Sequence, residues 1–431
     1  MKLKLFWVIS LILINITLQK SYTDNEDLYR KYDPSYSNNN FNIRQISSLK
    51  GRSDFLNGLD CSMVSVIEEN GGAYYDFDGK ERDFFELIKE NGINLVRIRL
   101  WNNYKSETGI KGGGCLDTER VLKMALRAKN AGLKFLLDFH YSDNWADPGK
   151  QACPASWRNL DFNSAQKELE KFTKNTIEYF VSKGANVDYV QIGNEINNGF
   201  MYPYGQIDWS NDNTKKDTID KVATLLNTAI SAVKTSSPNT KIIIHVGDYA
   251  LKTWKDEKSG KNVPTGLWFF QQLDQRKVNY DIAAASYYLY YHHSDGDYLD
   301  MNTMTSSIDQ FIDTLGKPFI IMEYSMAFTL NSHQFAENQF GQEYSNLLKN
   351  EYPTSFQGQT NMILDIAERV AKAKNNKGIG ICYWGGEWLP VKGAGWGDQS
   401  STKSSWANQA LFTYEGMASP SLAAMRSITQ G

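Results

Sequence analysis

The sequence predicts a (β/α)8 barrel, a TIM-type α/β fold, and two observations carry that prediction. Eight short apolar runs suited to buried strands recur along the chain, at 59–64, 95–100, 135–139, 189–192, 242–246, 282–286, 319–322 and 379–384. Between them lie stretches of helical periodicity, at 81–90, 118–131, 165–181, 219–233 and 359–373, several of them closed by a glycine at Gly92, Gly132 or Gly184. Eight buried strands, each followed by a helix or a long loop, close into a cylinder whose reactive groups gather where the strands end. A doubly wound open sheet is the competing architecture, but no G-x-G-x-x-G or Walker pattern follows any of these runs.

The strands and helices share a single uniform stretch. From residue 54 to 431 the composition shows no second linker, so one catalytic domain is expected there. Before it, residues 22–53 are rich in Asn, Ser, Tyr and Asp and show neither helical nor strand periodicity, which reads as a flexible leader. Residues 1–21 have two early lysines followed by an apolar run from Leu5 to Leu18, the layout of a secretory signal peptide, with an uncleaved anchor as the alternative. Once the signal is removed no further segment is apolar enough to span a bilayer, so a secreted, extracellular protein is expected, and a monomer.

Charge excludes one class of partner. The chain has 46 basic and 49 acidic residues, mixed along its length without a Lys/Arg block, so it offers no footprint for nucleic acid. Aromatic content of 13% is high enough to ask what the rings do besides packing.

Polar residues at strand ends supply the functional reading. All five histidines, His140, His245, His292, His293 and His333, fall at or just beyond the end of a strand run or in the loop that follows one, whereas core packing would scatter them. Two carboxylates also close apolar strands: Glu195 after the fourth run and Glu323 at the end of the seventh. Either alone could be an ion pair at the barrel rim. Taken together they face one cleft across the barrel mouth, and paired carboxylates in a cleft are the apparatus of glycoside hydrolysis.

Gly58-Leu59-Asp60, Leu95-Val96-Arg97-Ile98-Arg99-Leu100-Trp101, Gly193-Asn194-Glu195-Ile196-Asn197 and above all Asp138-Phe139-His140-Tyr141-Ser142-Asp143-Asn144-Trp145-Ala146-Asp147-Pro148 resemble glycoside hydrolase family 53, whose activity is endo-β-1,4-galactanase. Ser286-Tyr287-Tyr288, Glu323, Gly358-Gln359 and Tyr383-Trp384 follow in the family's order. The resemblance implies hydrolysis of galactan or arabinogalactan side chains of pectin by a retaining mechanism without a cofactor. Glu195 would be the acid/base and Glu323 the nucleophile. Glu195 must then stay protonated and Glu323 ionised, so a cation belongs beside Glu323 and not beside Glu195. Arg97 is the candidate cation, Arg99 serving beside it or at the rim, and Tyr287 the candidate hydroxyl donor. Asn194 would bond the sugar 2-hydroxyl.

Sugar rings have apolar faces edged with hydroxyls, so aromatic platforms are sought at Trp101, Trp145 and Trp384, with core packing the alternative for each. His140, Asp143, His245 and Asp248 are candidate supports or hydroxyl contacts. The chain departs from the family pattern at Tyr383-Trp384-Gly385-Gly386-Glu387-Trp388, at Leu289 and at Met201-Tyr202-Pro203. Residues 329–334 lack the aspartates of a calcium loop found in some members, so no metal is expected. Cys115 and Cys153, in neighbouring loops, are expected to form a disulfide, while Cys61 turns outward and Cys382 inward as buried thiols. A barrel glycosidase acting on β-mannan or β-glucan, and a binding protein that lost turnover, remain the alternatives.

Overall fold

A computed structural model of the chain describes residues 25–110, 112–257, 259–292, 299–397 and 403–429. Eight parallel strands form a closed barrel. They are β1 (Leu56–Asp60), β2 (Leu95–Leu100), β3 (Lys134–Phe139), β4 (Tyr189–Ile192), β5 (Lys241–Val246), β6 (Ile282–Ser286), β7 (Phe319–Tyr324) and β8 (Gly378–Tyr383). Seven occupy the expected runs. The first begins three residues earlier than its run, because the polar backbone of Asn57 and Gly58 is taken up by pairing with β8 and β2.

Each strand alternates between two cores. Leu56, Leu95, Leu136, Ile243, Ile282, Ala284, Ile320, Met322 and Cys382 point inward and fill the base of the barrel. Their neighbours, among them Val96, Ile98, Leu137, Ile244 and Ile321, point outward and pack beneath the helices. This parity is the pleat at work, and it leaves the upper inward positions to polar groups. Several helices begin where aspartate, asparagine or serine caps free backbone N–H groups. Asp117 accepts from Arg120 N ahead of Thr118–Asn130, and Asp161 from Ser164 N ahead of Phe162–Ser182. Sequence periodicity missed Leu267–Gln275 and Met301–Leu315, the helices that follow β5 and β6.

One strand breaks parity. In β7, Ile321 pairs with Ala285, but Glu323 rather than Met322 pairs with Ser286; against β8, Ile321 pairs with Ile381 and Tyr324 with Tyr383. The extra residue is a β-bulge, which lets two successive side chains, Met322 and Glu323, face the barrel axis.

The segment before β1 is not the flexible leader that composition suggests. Residues 26–32 form a helix, Glu26–Tyr32, and Tyr29, Tyr32 and Tyr36 are buried against the body of the domain. Tyr29 Oη donates to Ala418 O at 2.8 Å, Tyr32 Oη to Glu415 at 2.7 Å, and the Tyr29 and Tyr36 rings meet Phe356 edge-on. Arg44 adds ion pairs to Asp365 and Glu368. The aromatic anchors are too few and too irregularly spaced to show a period, since they cover existing helices rather than build a core of their own. Residues 1–21, where a signal peptide is expected, lie outside the described residues. Among the described residues, no helix is long and apolar enough to cross a membrane.

The cysteines also differ from expectation. Cys115 and Cys153 are both free thiols. Their loops are anchored by different partners: Gly113 N donates to Gly395 O in the segment after β8, while Ala152 bridges to Tyr202 in the segment after β4. Cys61 lies in the outer core and Cys382 in the inner one, as alternation requires.

Candidate active site

A pocket of about 270 Å³ opens at the C-terminal mouth of the barrel. Six strands or their following loops line it: Arg97 and Arg99 from β2; His140, Trp145, Ala146, Asp147 and Lys150 from β3; Asn194 and Glu195 from β4; Tyr288 and Tyr291 from β6; Glu323 from β7; and Trp384, Trp396 and Trp406 from β8. Local backbone brings the two glutamates there. Glu323 owes its inward direction to the bulge. Glu195 follows Gly193 at φ +75 and itself sits at φ +52, a left-handed conformation that a non-glycine residue holds only when its surroundings compel it.

Arg97 is the hub. Its five N–H groups make five contacts: Nη1 with Asp60 Oδ2 at 3.1 Å and Glu323 Oε1 at 2.8 Å, Nη2 with Asp138 Oδ2 at 2.8 Å and Asn194 Oδ1 at 2.7 Å, and Nε with Gln191 Oε1 at 3.1 Å. A buried guanidinium with every donor used is a fixed one. Tyr288 Oη donates to the other oxygen of Glu323 at 2.9 Å. Burial lifts the Glu323 carboxyl above the ordinary range, and Arg97 and Tyr288 pull it back toward ionisation.

Glu195 has the opposite surroundings. Burial, then the negative charges of Glu323 and Asp248, hold its carboxyl well above the ordinary range. Ser286 Oγ lies 2.6 Å from its Oε1, and among the described residues no cation pairs with it. When two carboxyls share one site the proton settles where no cation competes for it, which here is Glu195.

The remaining expected residues divide. Trp145 and Trp384 line the pocket, their rings 6.3 Å apart. His140 also lines it; its Nδ1 accepts from Ala146 N and Trp101 Nε1, and its Nε2 faces Asp138. His245 lies beneath the floor, between Asn194 and Ser286. Trp101 is fully buried behind Trp145 and His140 and is a wall, not a platform. Asp143 is buried away from the pocket, accepting from Asn103 N, Ser106 Oγ and Ala155 N, so it ties the β2 and β3 loops together. Asp248 is half-buried at the start of the turn Asp248–Leu251 and reaches Glu195 through its charge. His333 packs against Phe335 and Tyr414, outside the pocket. His293 lies outside the described residues, and for His292 only the backbone, in the turn Leu289–His292, is described.

Tyr287 is a correction. Its hydroxyl bonds Leu299 O at 3.1 Å on the outer face, and the donor to Glu323 is Tyr288. The reason is parity: Ile282, Ala284 and Ser286 point inward, so 288 follows them and 287 cannot. That signal was present in the sequence. Trp396 and Trp406 were missed as well, although four of the chain's 11 Trp fall between Trp384 and Trp406. Trp384 and Trp406 stack edge to face at 4.6 Å, and Trp396 O accepts from Trp145 Nε1 at 3.0 Å. The departure after β8 has its own outcome. Glu387 is fully buried, accepting from Met63 N at 3.2 Å, and burial with nearby Asp60 pushes its carboxyl well up. It belongs to the wall behind Arg99 rather than to the pocket. Among the described residues no cluster of three His, Cys, Asp or Glu could hold a metal ion.

A closed parallel barrel whose mouth presents two unlike carboxyls among tryptophans defines a glycosidase of the barrel class. The chain belongs to glycosyl hydrolase family 53, whose family model matches residues 56–425. It is similar to the endo-beta-1,4-galactanase of Bacillus subtilis (strain 168), 31% identical over 86% of this chain and 85% of that protein. It is 30% identical to the arabinogalactan endo-beta-1,4-galactanase of Humicola insolens, over 86% of this chain and 98% of that one. Among solved structures, the Ignisphaera aggregans GH53 catalytic domain superposes with a TM-score of 0.79 at 35% identity, covering 90% of this chain and 99% of the other.

Proposed function

We propose that this protein is an endo-β-1,4-galactanase acting by retention, with Glu195 as acid/base and Glu323 as nucleophile. One observation carries the assignment of roles: Arg97 and Tyr288 grip both oxygens of Glu323, while the hydrogen-bond partner of Glu195 is a serine hydroxyl and its strongest charged neighbours are the acidic Glu323 and Asp248. In the first step a Glu323 oxygen attacks the anomeric carbon as Glu195 gives its proton to the departing glycosidic oxygen, leaving a galactosyl ester on Glu323. In the second, ionised Glu195 takes a proton from water, the water oxygen attacks the same carbon, and the ester bond breaks. Direct attack of this kind needs carboxyls about 5 Å apart. Asn194 Nδ2 gives one N–H to Ala146 O at 2.8 Å and has a second for the sugar 2-hydroxyl, a bond that strengthens as positive charge grows at the anomeric carbon. Trp145, Trp384, Trp396 and Trp406 offer apolar faces for the sugar rings.

The substrate, galactan, is supported by the named activities of the relatives across nearly the whole domain. Secretion is part of the proposal and rests on the N-terminal layout of residues 1–21. Reducing-sugar release from β-1,4-galactan, β-mannan and β-glucan tests the substrate, beside Glu195→Ala and Glu323→Ala. Galactan hydrolysis lost in both variants is expected. Hydrolysis that survives both substitutions, or that favours mannan or glucan, overturns the reading, and NMR of the first product must show the β-anomer. N-terminal sequencing of protein from culture medium reports the signal.

A further inference from the structure

We propose that Ser286 and His245 form a hydrogen-bond relay that keeps the transferable proton on Glu195, which makes both of them positioning residues for the acid step. The relay deepens the reading above and rests on the acid/base role given there to Glu195. Each proton in it is fixed by the neighbour before. Arg97 can only donate, so the Asn194 atom 2.7 Å from its Nη2 is the amide oxygen; Gln191 Nε2 donates to the same oxygen at 3.0 Å, and Asn194 Nδ2 donates to Ala146 O. His245 Nδ1 lies 2.9 Å from that oxygen. An amide oxygen only accepts, so Nδ1 carries a proton.

Burial, Arg97 and His140 hold the His245 ring neutral, its pKa far below the ordinary value, and Nε2 is therefore a bare lone pair. Ser286 Oγ is 3.0 Å from it and has one proton to give. With that proton spent on His245, the oxygen of Ser286 that faces Glu195 Oε1 at 2.6 Å is an acceptor, and the proton in this short contact comes from Glu195. Ionising Glu195 forces Ser286 to swing its proton to the carboxylate and leaves His245 Nε2 buried without a donor. That penalty falls on the ionised form alone. It acts in the same direction as Glu323, Asp248 and Asp147, the acidic groups that face Glu195, and it withholds the Ser286 hydrogen bond that would otherwise favour the ionised carboxylate. During the acid step the carboxyl proton turns from Ser286 to the glycosidic oxygen, the Glu195 O–H bond breaks as that oxygen gains the proton, and the Ser286 proton turns toward the new carboxylate. When Glu195 recovers a proton from water, it turns back.

The experiment has two arms on the full-length protein. Nitrogen-15 NMR of histidine-labelled wild type, without substrate, reads the tautomers. His245 is expected as the Nδ1–H form, and His140, whose Nδ1 accepts two hydrogen bonds and whose Nε2 faces Asp138, as the opposite form, giving an internal standard. His245 carrying its proton on Nε2 overturns the relay. The second arm uses His245→Asn, which keeps an N–H where Nδ1 stood but removes the acceptor, and His245→Gln, which returns an oxygen toward Ser286. In His245→Asn the upper limb of the kcat/KM pH profile is expected to fall by about one unit, with kcat at its own optimum reduced more than KM is changed. His245→Gln is expected to restore the limb. A limb that stays in place or rises in His245→Asn overturns the relay, since a merely structural His245 lowers activity at every pH alike. Carbon-13 titration of the Glu195 carboxyl in the same variants reads the shift without turnover, so an enzyme that fails to cleave galactan refutes the function while the relay is still decided.

Discussion

Replacing Tyr288 by Phe removes a single oxygen from the site and bears directly on how Glu323 stays ionised. The hydroxyl donates to Glu323 Oε2 at 2.9 Å, and both groups are nearly buried, 8% and 7% exposed, so water cannot substitute freely. A hydrogen bond to a charged group is worth about 1.5–3 kcal/mol, and about 1.4 kcal/mol corresponds to one pKa unit, so the Glu323 pKa should rise by roughly one to two units. The sign follows from which form is active. Glu323 must be ionised to attack, so raising its pKa moves the acidic limb of kcat/KM upward in pH, while the upper limb, set by Glu195, stays within a few tenths. The assay is the pH dependence of kcat/KM on a soluble galacto-oligosaccharide, beside Tyr287→Phe, whose hydroxyl bonds Leu299 O outside the site and should leave both limbs alone. An acidic limb unmoved in Tyr288→Phe, or moved equally in Tyr287→Phe, would refute the assignment of Glu323 as the ionised partner.

Three further outcomes are expected. Glu323→Gly should lose at least ~10⁴-fold in turnover, since nucleophile removal abolishes the covalent route, and azide should restore activity with an activated β-galactoside while yielding the α-galactosyl azide. Tyr29→Ala should cost about 3–5 kcal/mol in reversible denaturant unfolding, because a fully buried ring and its bond to Ala418 O are lost; a cost below about 1 kcal/mol would return the segment before β1 to a dispensable leader. Thiol titration of the denatured, unreduced protein should count four free cysteines per chain, and a count of two would restore the Cys115 to Cys153 bridge.

Much of the site could be read before the fold was known. Apolar runs ending in charged residues located Glu195 and Glu323, and the family resemblance pointed to Arg97 as the cation beside Glu323. Strand alternation, counted from Ile282, selects Tyr288 over Tyr287, so that error lay in the reading and not in the signal. Glu323 is different. Counted from Ile320 and Met322, it belongs on the outer face, and only the inserted residue in β7 turns it to the pocket. Asp143 and Trp101 sit among pocket residues in sequence yet serve the wall, because loops crossing the barrel mouth need buried acceptors and packing of their own.

By itself the sequence determined the barrel and the strand ends at which its chemistry sits, because hydrophobic period and strand length are local properties of the chain. It also determined the family, through an uninterrupted run of motif residues after the third strand. Tertiary structure alone decided which side chains meet: the bulge that aims Glu323, the tyrosines that clamp the N-terminal segment to the barrel, and the separate anchoring of the loops that carry Cys115 and Cys153. Each of these depends on the register and backbone direction of segments far apart in the chain, and no local pattern encodes them.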